Sequence, residues 1–428
     1  MNALLDADLL QLVGLVLIAA VMLQALLWLA GSLRQNTYQR RQQQLALELL
    51  RHQVDTARTR HTQADEERQS WQGHRKFVVT KIEREALDIV SLNLKPHDER
   101  RLPGFRPGQH LTFKFNIPGE RKMVNRCYSL SDGPLPEHYR ITVKRVPPPS
   151  GKEAPPGRSS NYINDVIKEG DILDVKAPKG DFFLDLSQRT PVVLVGGGIG
   201  ITPFISMLAA LSAQGFQREV WLFYGVRTSA DYVFKSYLEQ LAKKHNSFRL
   251  HVVYSGIDPA DLPAGDNYHH GHVSLELLRQ VLPSNNFTFY VCGPPAMMNS
   301  LVPALLDWGV ARSRIHFEAF GPASIKGFEP VKKAPLTTAA ATQAPFNITF
   351  SRSGKTLAWN PGFDSLLAFG TANGIAMDSG CSAGECLTCE IALKSGNVHY
   401  VKEPSEAPDT GNCLPCVCVP QSDLEIDA

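Results

Sequence analysis

The chain has 428 residues, enough for two or three domains that each bury a core of their own. Its 44 Lys and Arg against 42 Asp and Glu leave a net charge of +2, without the basic surplus that holds a polyanion, so nucleic acid is not among the expected partners. With 43% hydrophobic and 20% charged residues the composition is that of folded globular domains, which excludes a disordered chain and a multi-span transporter.

Residues 9–33 carry no charge, and at about 1.5 Å per residue they reach across a hydrocarbon core of about 30 Å. The sequence therefore predicts a transmembrane helix at 9–33 within an N-terminal segment 1–33. Arg34, Arg40, Arg41 and Arg51 follow it, and positive charge beside a span marks its cytoplasmic side. The expectation is a single-pass protein of the inner (cytoplasmic) membrane, with the lipid bilayer as a partner and all downstream domains in the cytoplasm. Residues 34–75 are rich in Gln, Arg and Glu and lack proline. Leu47, Leu50, Val54 and Ala57 fall at steps of three and four, which reads as a helical stalk.

From Lys76 the pattern alternates. KFVVTKIERE, DIVSLNL, QHLTFKF and RITVKRV are short β-branched runs separated by Gly and Pro turns, and they predict an antiparallel β-barrel over 76–188. Within it, RCYSLSD offers Arg126, Tyr128 and Ser129, and GRSSNYIND offers Gly157, Ser159, Ser160 and Asn161. An arginine, an aromatic ring and a hydroxyl at one strand end suit a ring-bearing phosphorylated cofactor, the arginine for phosphate and the ring for stacking.

Residues 189–321 alternate apolar strands with helices, the pattern of a parallel α/β sheet. VVLVGGGIGITPF is a strand, a glycine loop and a helix start. Gly196, Gly197, Gly198 and Gly200 let backbone amides approach a pyrophosphate, and the helix N-terminus favours the anion. YVCGPPAMM places Cys292, Gly293 and Pro294 at the end of a second such strand. Ligands bind beyond the carboxyl ends of these strands, so both loops face one crevice. Arg227, after the YGV run, is placed to grip a 2′-phosphate, and nearby Asp231 to bind a ribose or stay clear, which leaves NADH against NADPH open. His269, His270 and His272 in HHGH read as solvated loop histidines before the helix VSLELLRQ.

Residues 322–344 have the proline-rich composition of a linker. The domain at 345–428 holds Cys381, Cys386 and Cys389 as C-x4-C-x2-C, with Cys416 further on in LPCVCVP, the spacing of a plant-type [2Fe-2S] centre. Two sulfide-bridged irons need four converging thiolates, and a tight loop supplies three of them. Ser382, Ala383 and Gly384 are small enough for loop amides to point at the sulfurs. Structural zinc would begin with a closer Cys pair and a second pair of Cys or His. Cys413 and Cys418 flank Cys416 and leave the fourth ligand the least determined by spacing.

Residues 345–428 resemble a plant-type ferredoxin domain, whose fourth ligand sits in a pattern like L-x-C-Q-x-x-P. Leu414, Cys416 and Pro420 match it, which selects Cys416, while Val417 replaces the usual glutamine. Together with R-x-Y-S, GGGIGITP and C-G-P-P in this order, the chain resembles the ferredoxin-NADP reductase superfamily, in the layout of bacterial reductases that feed oxygenases, hydroxylases and hybrid-cluster proteins. The expected fold is multidomain: one N-terminal transmembrane helix from the uncharged run and, as the resemblance implies, an antiparallel β-barrel flavin domain, an α/β parallel-sheet nucleotide domain and an α+β ferredoxin-like [2Fe-2S] domain. It implies that Arg126 binds flavin phosphate, that Tyr128 stacks on the isoalloxazine and that Ser129 bonds near its reactive nitrogen. The amides from Gly157 through Ser159 and Ser160 to Asn161 would hold the pyrophosphate, and Val143 and Lys144 would form a second flavin-contacting stretch. Gly197, Gly198, Gly200, Thr202, Arg227, Gly293 and Pro294 would serve the nicotinamide nucleotide, with Cys292 beside its ring. Glu318 with Phe320 would close the flavin's other face. Tyr128, Ser129, Cys292 and Glu318 form the implied catalytic set, and FAD is favoured over FMN.

A nicotinamide gives two electrons at once, a [2Fe-2S] centre takes one, and flavin does both. The expected function is thus a membrane-anchored NAD(P)H-dependent iron–sulfur flavoprotein reductase. Electrons would pass through FAD and a [2Fe-2S] cluster to an unidentified acceptor protein, an oxygenase, hydroxylase or desaturase. Two other classes stay open. A respiratory-type NADH:quinone dehydrogenase subunit would place its ferredoxin domain before the flavin domain, the reverse of the order here. A non-catalytic redox-sensing iron–sulfur module would show no NAD(P)H-driven dye reduction.

Overall fold

The structure is a computed structural model that describes residues 70–120, 123–148, 156–320, 346–380, 382–384, 386–404 and 407–428, together with Met22, Gln24 and Trp28. The chain divides into two compact units, Met1–Arg68 and Gln69–Ala428, and the description below concerns the second.

The first sheet contains β1 (Arg75–Ala86), β2 (Ile89–Pro96), β3 (His110–Phe115), β4 (Val124–Ser129), β5 (Tyr139–Lys144) and β6 (Ile172–Val175), with helix α1 (Arg158–Asp165) before β6. The order is β4-β3-β6-β1-β2-β5 with every pair antiparallel. A Leu130↔Ile141 bridge joins the two edges, which curls the sheet into the expected barrel. Alternate residues Phe77, Leu92, Leu111, Phe113 and Val175 point inward and are fully buried.

The second sheet is wholly parallel, in the order β10-β9-β8-β7-β11-β12. Its strands are β7 (Val192–Gly197), β8 (Val220–Val226), β9 (Phe248–Tyr254), β10 (Tyr268–His270), β11 (Thr288–Gly293) and β12 (Ile315–Ala319). Helices α2 (Thr202–Ala213), α3 (Lys235–Lys244), α4 (Leu275–Val281) and α5 (Pro295–Asp307) cross between them. Leu194 packs on one side with Phe204 of α2 and Leu238 of α3. Val193 and Val195 pack on the other with Leu278 of α4 and Leu301 of α5. Burial on both faces is why these strands read as unbroken apolar runs. The chain winds outward from β7 to β10 and then returns to β11 on β7's other side, so strand order reverses between β7 and β11. Phe182 and Leu184, which follow β6, belong to the same buried cluster as Leu194 and seat the barrel on this sheet.

The third region has strands β13 (Asn347–Phe350), β14 (Lys355–Ala358), β15 (Ile391–Ser395), β17 (Asn412–Cys413) and β19 (Leu424–Ile426) in the order β14-β13-β19-β15-β17. A separate β16 (Val398–Tyr400) and β18 (Cys418–Pro420) pair lies beside them. Helix α6 (Leu366–Ala372), capped by the Ser365 hydroxyl accepting from Ala368 N–H at 3.2 Å, buries Leu366 and Phe369 against Ile348, Phe350 and Leu424.

The structure corrects the fold class in one respect. No helix among the described residues is long and apolar enough to cross a membrane. The longest one named above, α5, has 13 residues, about 20 Å against a core of about 30 Å. The expected transmembrane helix at 9–33, the bilayer as a partner and the single-pass inner-membrane localisation are therefore not carried further. Of that segment only Met22, Gln24 and Trp28 are described, all helical and exposed; the rest of it, the stalk to residue 69 and the linker lie outside the described residues.

Candidate functional site

A cavity of about 690 Å³ opens where the three regions meet. Arg126, Tyr128 and Ser129 reach it from β4, Val143 and Lys144 from β5, and Gly157, Ser159 and Ser160 from the start of α1. Thr202 at the start of α2, Glu318 on β12 and Phe320 beyond it close the opposite side.

Tyr128 stands edge-on to Phe113 at 5.8 Å and Phe115 at 6.5 Å, which fixes its ring in the cavity wall. Burial raises its phenol well above the usual range, against the charge of Arg126, so the ring presents a neutral face. The buried Ser129 hydroxyl donates to Glu318 Oε2 at 3.4 Å, tying the end of the barrel strand to the end of β12. His110, also buried, brings Nδ1 to 3.8 Å from Glu318 Oε1. Sequence reasoning passed over His110; its position opposite Ser129 in the β3–β4 register is the signal that finds it. Cys292 pairs in register with Glu318 but is fully buried beneath the cavity, and burial with the Glu318 charge pushes its thiol well up. The structure thus brings three members of the implied catalytic set onto the cavity and leaves Cys292 under it.

The glycines of the two strand-end loops do different work. A Cβ on Gly200 would run into the backbone carbonyl of Cys292, and one on Gly197 would sit 2.7 Å from the Pro294 ring, so these positions let the β7 and β11 loops interlock. Gly198 has φ +54° with open space before it, the place where backbone can approach a ligand. Gly293 lies within the interlock, and Pro294 caps α5. The Asn161 side chain is used up locally, its amide donating to the Val146 carbonyl at 2.9 Å and the Gly157 carbonyl at 2.6 Å, and it does not line the cavity. Arg227 is exposed at the end of β8, away from the cavity.

The cluster-loop residues Ser379, Gly380, Ser382 and Ala383 line the same cavity. Thr388 donates to the Asn125 carbonyl at 2.8 Å, and Lys402 pairs with Asp181 at 3.1 Å, so the third region sits against the barrel. Cys389 Sγ lies 3.1 Å from Cys416 Sγ and donates to it, and this bond, helped by the Gly384 amide, holds Cys416 below the usual thiol range. Cys386 is buried close enough for its charge to act on both. Ser382 and Leu387 hold left-handed backbone, φ 52° and 57°, in the tight loop that carries Cys386 and Cys389. Added bulk at Gly380 would meet Cys386 Sγ at 2.6 Å. Two of the four expected cluster thiols, Cys389 and Cys416, are thus in contact, Cys386 lies three residues before Cys389, and Cys381 lies outside the described residues. Cys413 and Cys418 are fully buried with Ile348 and Phe350 in the domain's apolar core, whereas Cys389 packs with Leu414, Val417 and Cys416 in a separate cluster.

Of the HHGH histidines, His270 and His272 are exposed, as the sequence predicts, and His269 alone departs from that reading. His269 lies on β10, half-buried, with Nε2 2.9 Å from His251 Nδ1. Burial, then the neighbouring His269, pushes His251 down to about 4.

Comparison with known proteins agrees with these regions. The family models described as oxidoreductase FAD-binding domain, oxidoreductase NAD-binding domain and 2Fe-2S iron-sulfur cluster binding domain match residues 76–184, 194–302 and 348–421. The flavohemoprotein of Bacillus cereus is 40% identical over 254 residues, covering 59% of this chain and 62% of that protein, and the one from Bacillus subtilis is 33% identical over 260 residues. The chain spans about three-fifths of the length of these curated relatives. The crystal structure of the flavohem-like FAD/NAD binding domain of nitric oxide dioxygenase from Vibrio cholerae is 32% identical, with a TM-score of 0.52 over 59% of this chain and 100% of that one. FAD, NAD(P)H and a [2Fe-2S] cluster are accordingly the cofactors, and the non-catalytic reading falls away. The chain belongs to the ferredoxin-NADP reductase superfamily, as an oxidoreductase in which FAD- and NAD-binding domains are followed by a 2Fe-2S domain.

Proposed function

We propose that this reductase passes electrons from NAD(P)H through FAD and the [2Fe-2S] cluster to a separate acceptor protein, an oxygenase, hydroxylase or desaturase. The observation that supports it is the shared cavity: barrel, nucleotide sheet and cluster loop all contribute to its wall, so electrons need not leave the chain between cofactors. The limits that suit this reading are 76–188 for the flavin domain, 189–321 for the nucleotide domain and 345–428 for the iron–sulfur domain. The acceptor class rests on the resemblance of the domain order to bacterial oxygenase reductases.

Bound FAD supplies the step from a two-electron hydride to single electrons, and the cluster takes these one at a time. The chain's part is positional. Arg126 offers a charge-assisted contact to flavin phosphate and Tyr128 a neutral ring face. The Ser129–Glu318 bond holds barrel and nucleotide sheet in one geometry around the reacting centre, which is where orientation is worth most. Tyr128 and Cys292 both stay protonated, so neither is a base. Val143 and Phe320 line apolar parts of the wall and keep water from the hydride step.

The test is NAD(P)H oxidation by the purified full chain coupled first to cytochrome c, then to a terminal oxygenase system scored by product. Reduction of dyes without reduction of any one-electron protein acceptor would overturn the reading.

A further inference from the structure

Two different kinds of contact join the three domains. Between the barrel and the nucleotide sheet the contact is apolar, with Ile89, Phe182 and Leu184 in one buried cluster with Leu194 and Phe204. The iron–sulfur domain is joined differently. Its apolar clusters are built from its own side chains, and among the described residues none of them includes one from the barrel or the nucleotide sheet. What crosses to the barrel is polar. Lys402 Nζ stands 3.1 Å from Asp181 Oδ2, and Asp378 Oδ1 stands 3.4 Å from the guanidinium of Arg158, which also holds Glu120 of the barrel at 2.9 Å. Lys402, Asp181, Asp378 and Arg158 are all exposed. A further contact is half-buried: the Thr388 hydroxyl donates to the Asn125 carbonyl at 2.8 Å. Thr388 directly precedes Cys389 and Asn125 directly precedes Arg126, so this bond ties the cluster loop to the flavin strand β4.

The two ion pairs cross in opposite senses. In one the cation belongs to the iron–sulfur domain, in the other the anion does, so a domain turned end for end would set Lys402 against Arg158 and Asp378 against Asp181; like charges opposed in this way exclude the wrong register. Each pair is weak. An exposed ion pair shifts an equilibrium by at most about fivefold, salt screens it, and a polar contact between domains leaves them free to part. We propose that the iron–sulfur domain is latched to the barrel, not fused to it, and that Lys402 with Asp181, Asp378 with Arg158, and Thr388 are positioning residues that set the cluster loop over the flavin cavity for the flavin-to-cluster step. The inference rests on the proposed function and adds its regulation: the one-electron step depends on ionic strength, whereas the hydride step, made across the apolar contact of barrel and nucleotide sheet, does not.

Flash photoreduction of the flavin in the full chain reads the flavin-to-cluster step by itself, and rapid mixing with saturating NAD(P)H reads the hydride step. Between about 0.05 M and about 0.5 M salt the screening length shortens from about 14 Å to about 4 Å. Over that range the flavin-to-cluster rate should fall at least about threefold while the hydride rate changes by less than about twofold. Lys402→Glu should slow the flavin-to-cluster step at least about fivefold at low salt, and adding Asp181→Lys, which rebuilds the pair with its charges exchanged, should bring the rate back to within about twofold of wild type. Thr388→Val should slow the same step and Thr388→Ser should keep it, with flavin and cluster absorbance unchanged in both. A flavin-to-cluster rate that neither salt nor Lys402→Glu alters would overturn the latch, as would a charge-exchanged double variant as slow as the single one. Thr388→Val at the wild-type rate would overturn the part given to Thr388. A wild-type cluster that stays oxidised beside a fully reduced flavin would instead sink the proposed function.

Discussion

In the nucleotide sheet the site is backbone: β7 and β11 are buried on both faces, and their loops interlock through Gly197, Gly200 and Gly293, packed against the Cys292 backbone and the Pro294 and Met297 side chains. In the iron–sulfur domain the site is side chain, with Cys389 and Cys416 brought into sulfur contact on irregular loops at a small separate cluster. The contrast teaches where each region is fragile. The first fails when an atom is added, the second when a sulfur is exchanged, and substitutions can separate the two.

The largest effect should come from Gly200→Ala. Its Cβ has backbone on the far side, which cannot step away as a flexible side chain would, so overpacking of about 3 kcal/mol or more is expected. Thermal unfolding should show a marked loss, with NAD(P)H-driven flavin reduction abolished; a wild-type melting curve would break the comparison on its backbone side.

Cys389→Ser comes next. It should remove the cluster's visible spectrum while leaving flavin bound and dye reduction intact, and cytochrome c reduction should fall by more than about tenfold because the one-electron carrier is gone. Cluster absorbance unchanged in that variant would contradict the ligand set.

At the flavin itself, Arg126→Ala should weaken retention by about ten- to a hundredfold through the lost charge-assisted contact, and Tyr128→Ala by less, since stacking contributes about 1 kcal/mol. Flavin fluorescence released on dilution measures both. The opposite ranking would show that the Phe113–Phe115–Tyr128 packing, not phosphate contact, governs the site.

The smallest effect lies at the far edge of the nucleotide sheet. His251 titrates near 4 in the folded chain, below its ordinary value, so the unfolded chain binds the extra proton first. Its contribution to stability is complete above the unfolded value near 6.5 and is lost as pH falls from there toward 4. Melting temperatures between pH 7 and pH 4 should decline less steeply in His251→Gln than in wild type; parallel curves would remove His251 from the account.

The same contrast governs how much could be read in advance. The cysteine spacing names the cluster because ligand geometry is written directly in sequence. The glycine loop gains meaning only from its strand–turn–helix setting and from the second loop that the strand reversal brings beside it. The short edge strand β10 was hidden because three residues carry no periodicity, and β9 rather than local propensity makes them a strand. His110 stayed out of sight for the same reason, since only the pairing of β3 with β4 sets it beside Ser129. Asn161 suggested a cofactor contact, but its amide is spent on two carbonyls that shape the turn before α1. Arg227 and Asp231 looked equivalent until Lys144, distant in sequence, claimed one of them. Residues 9–33 had the apolar length of a span, and no helix among the described residues has it.

The central claim is that electrons from NAD(P)H reach the cluster by way of the flavin within one chain. Anaerobic rapid mixing of the purified chain with NADPH, followed at flavin and cluster wavelengths, tests it most directly. Flavin bleaching should come first and cluster bleaching should follow without added mediator, at a rate independent of protein concentration. Cluster bleaching that precedes the flavin, or a fully reduced flavin beside an unchanged cluster, would contradict it.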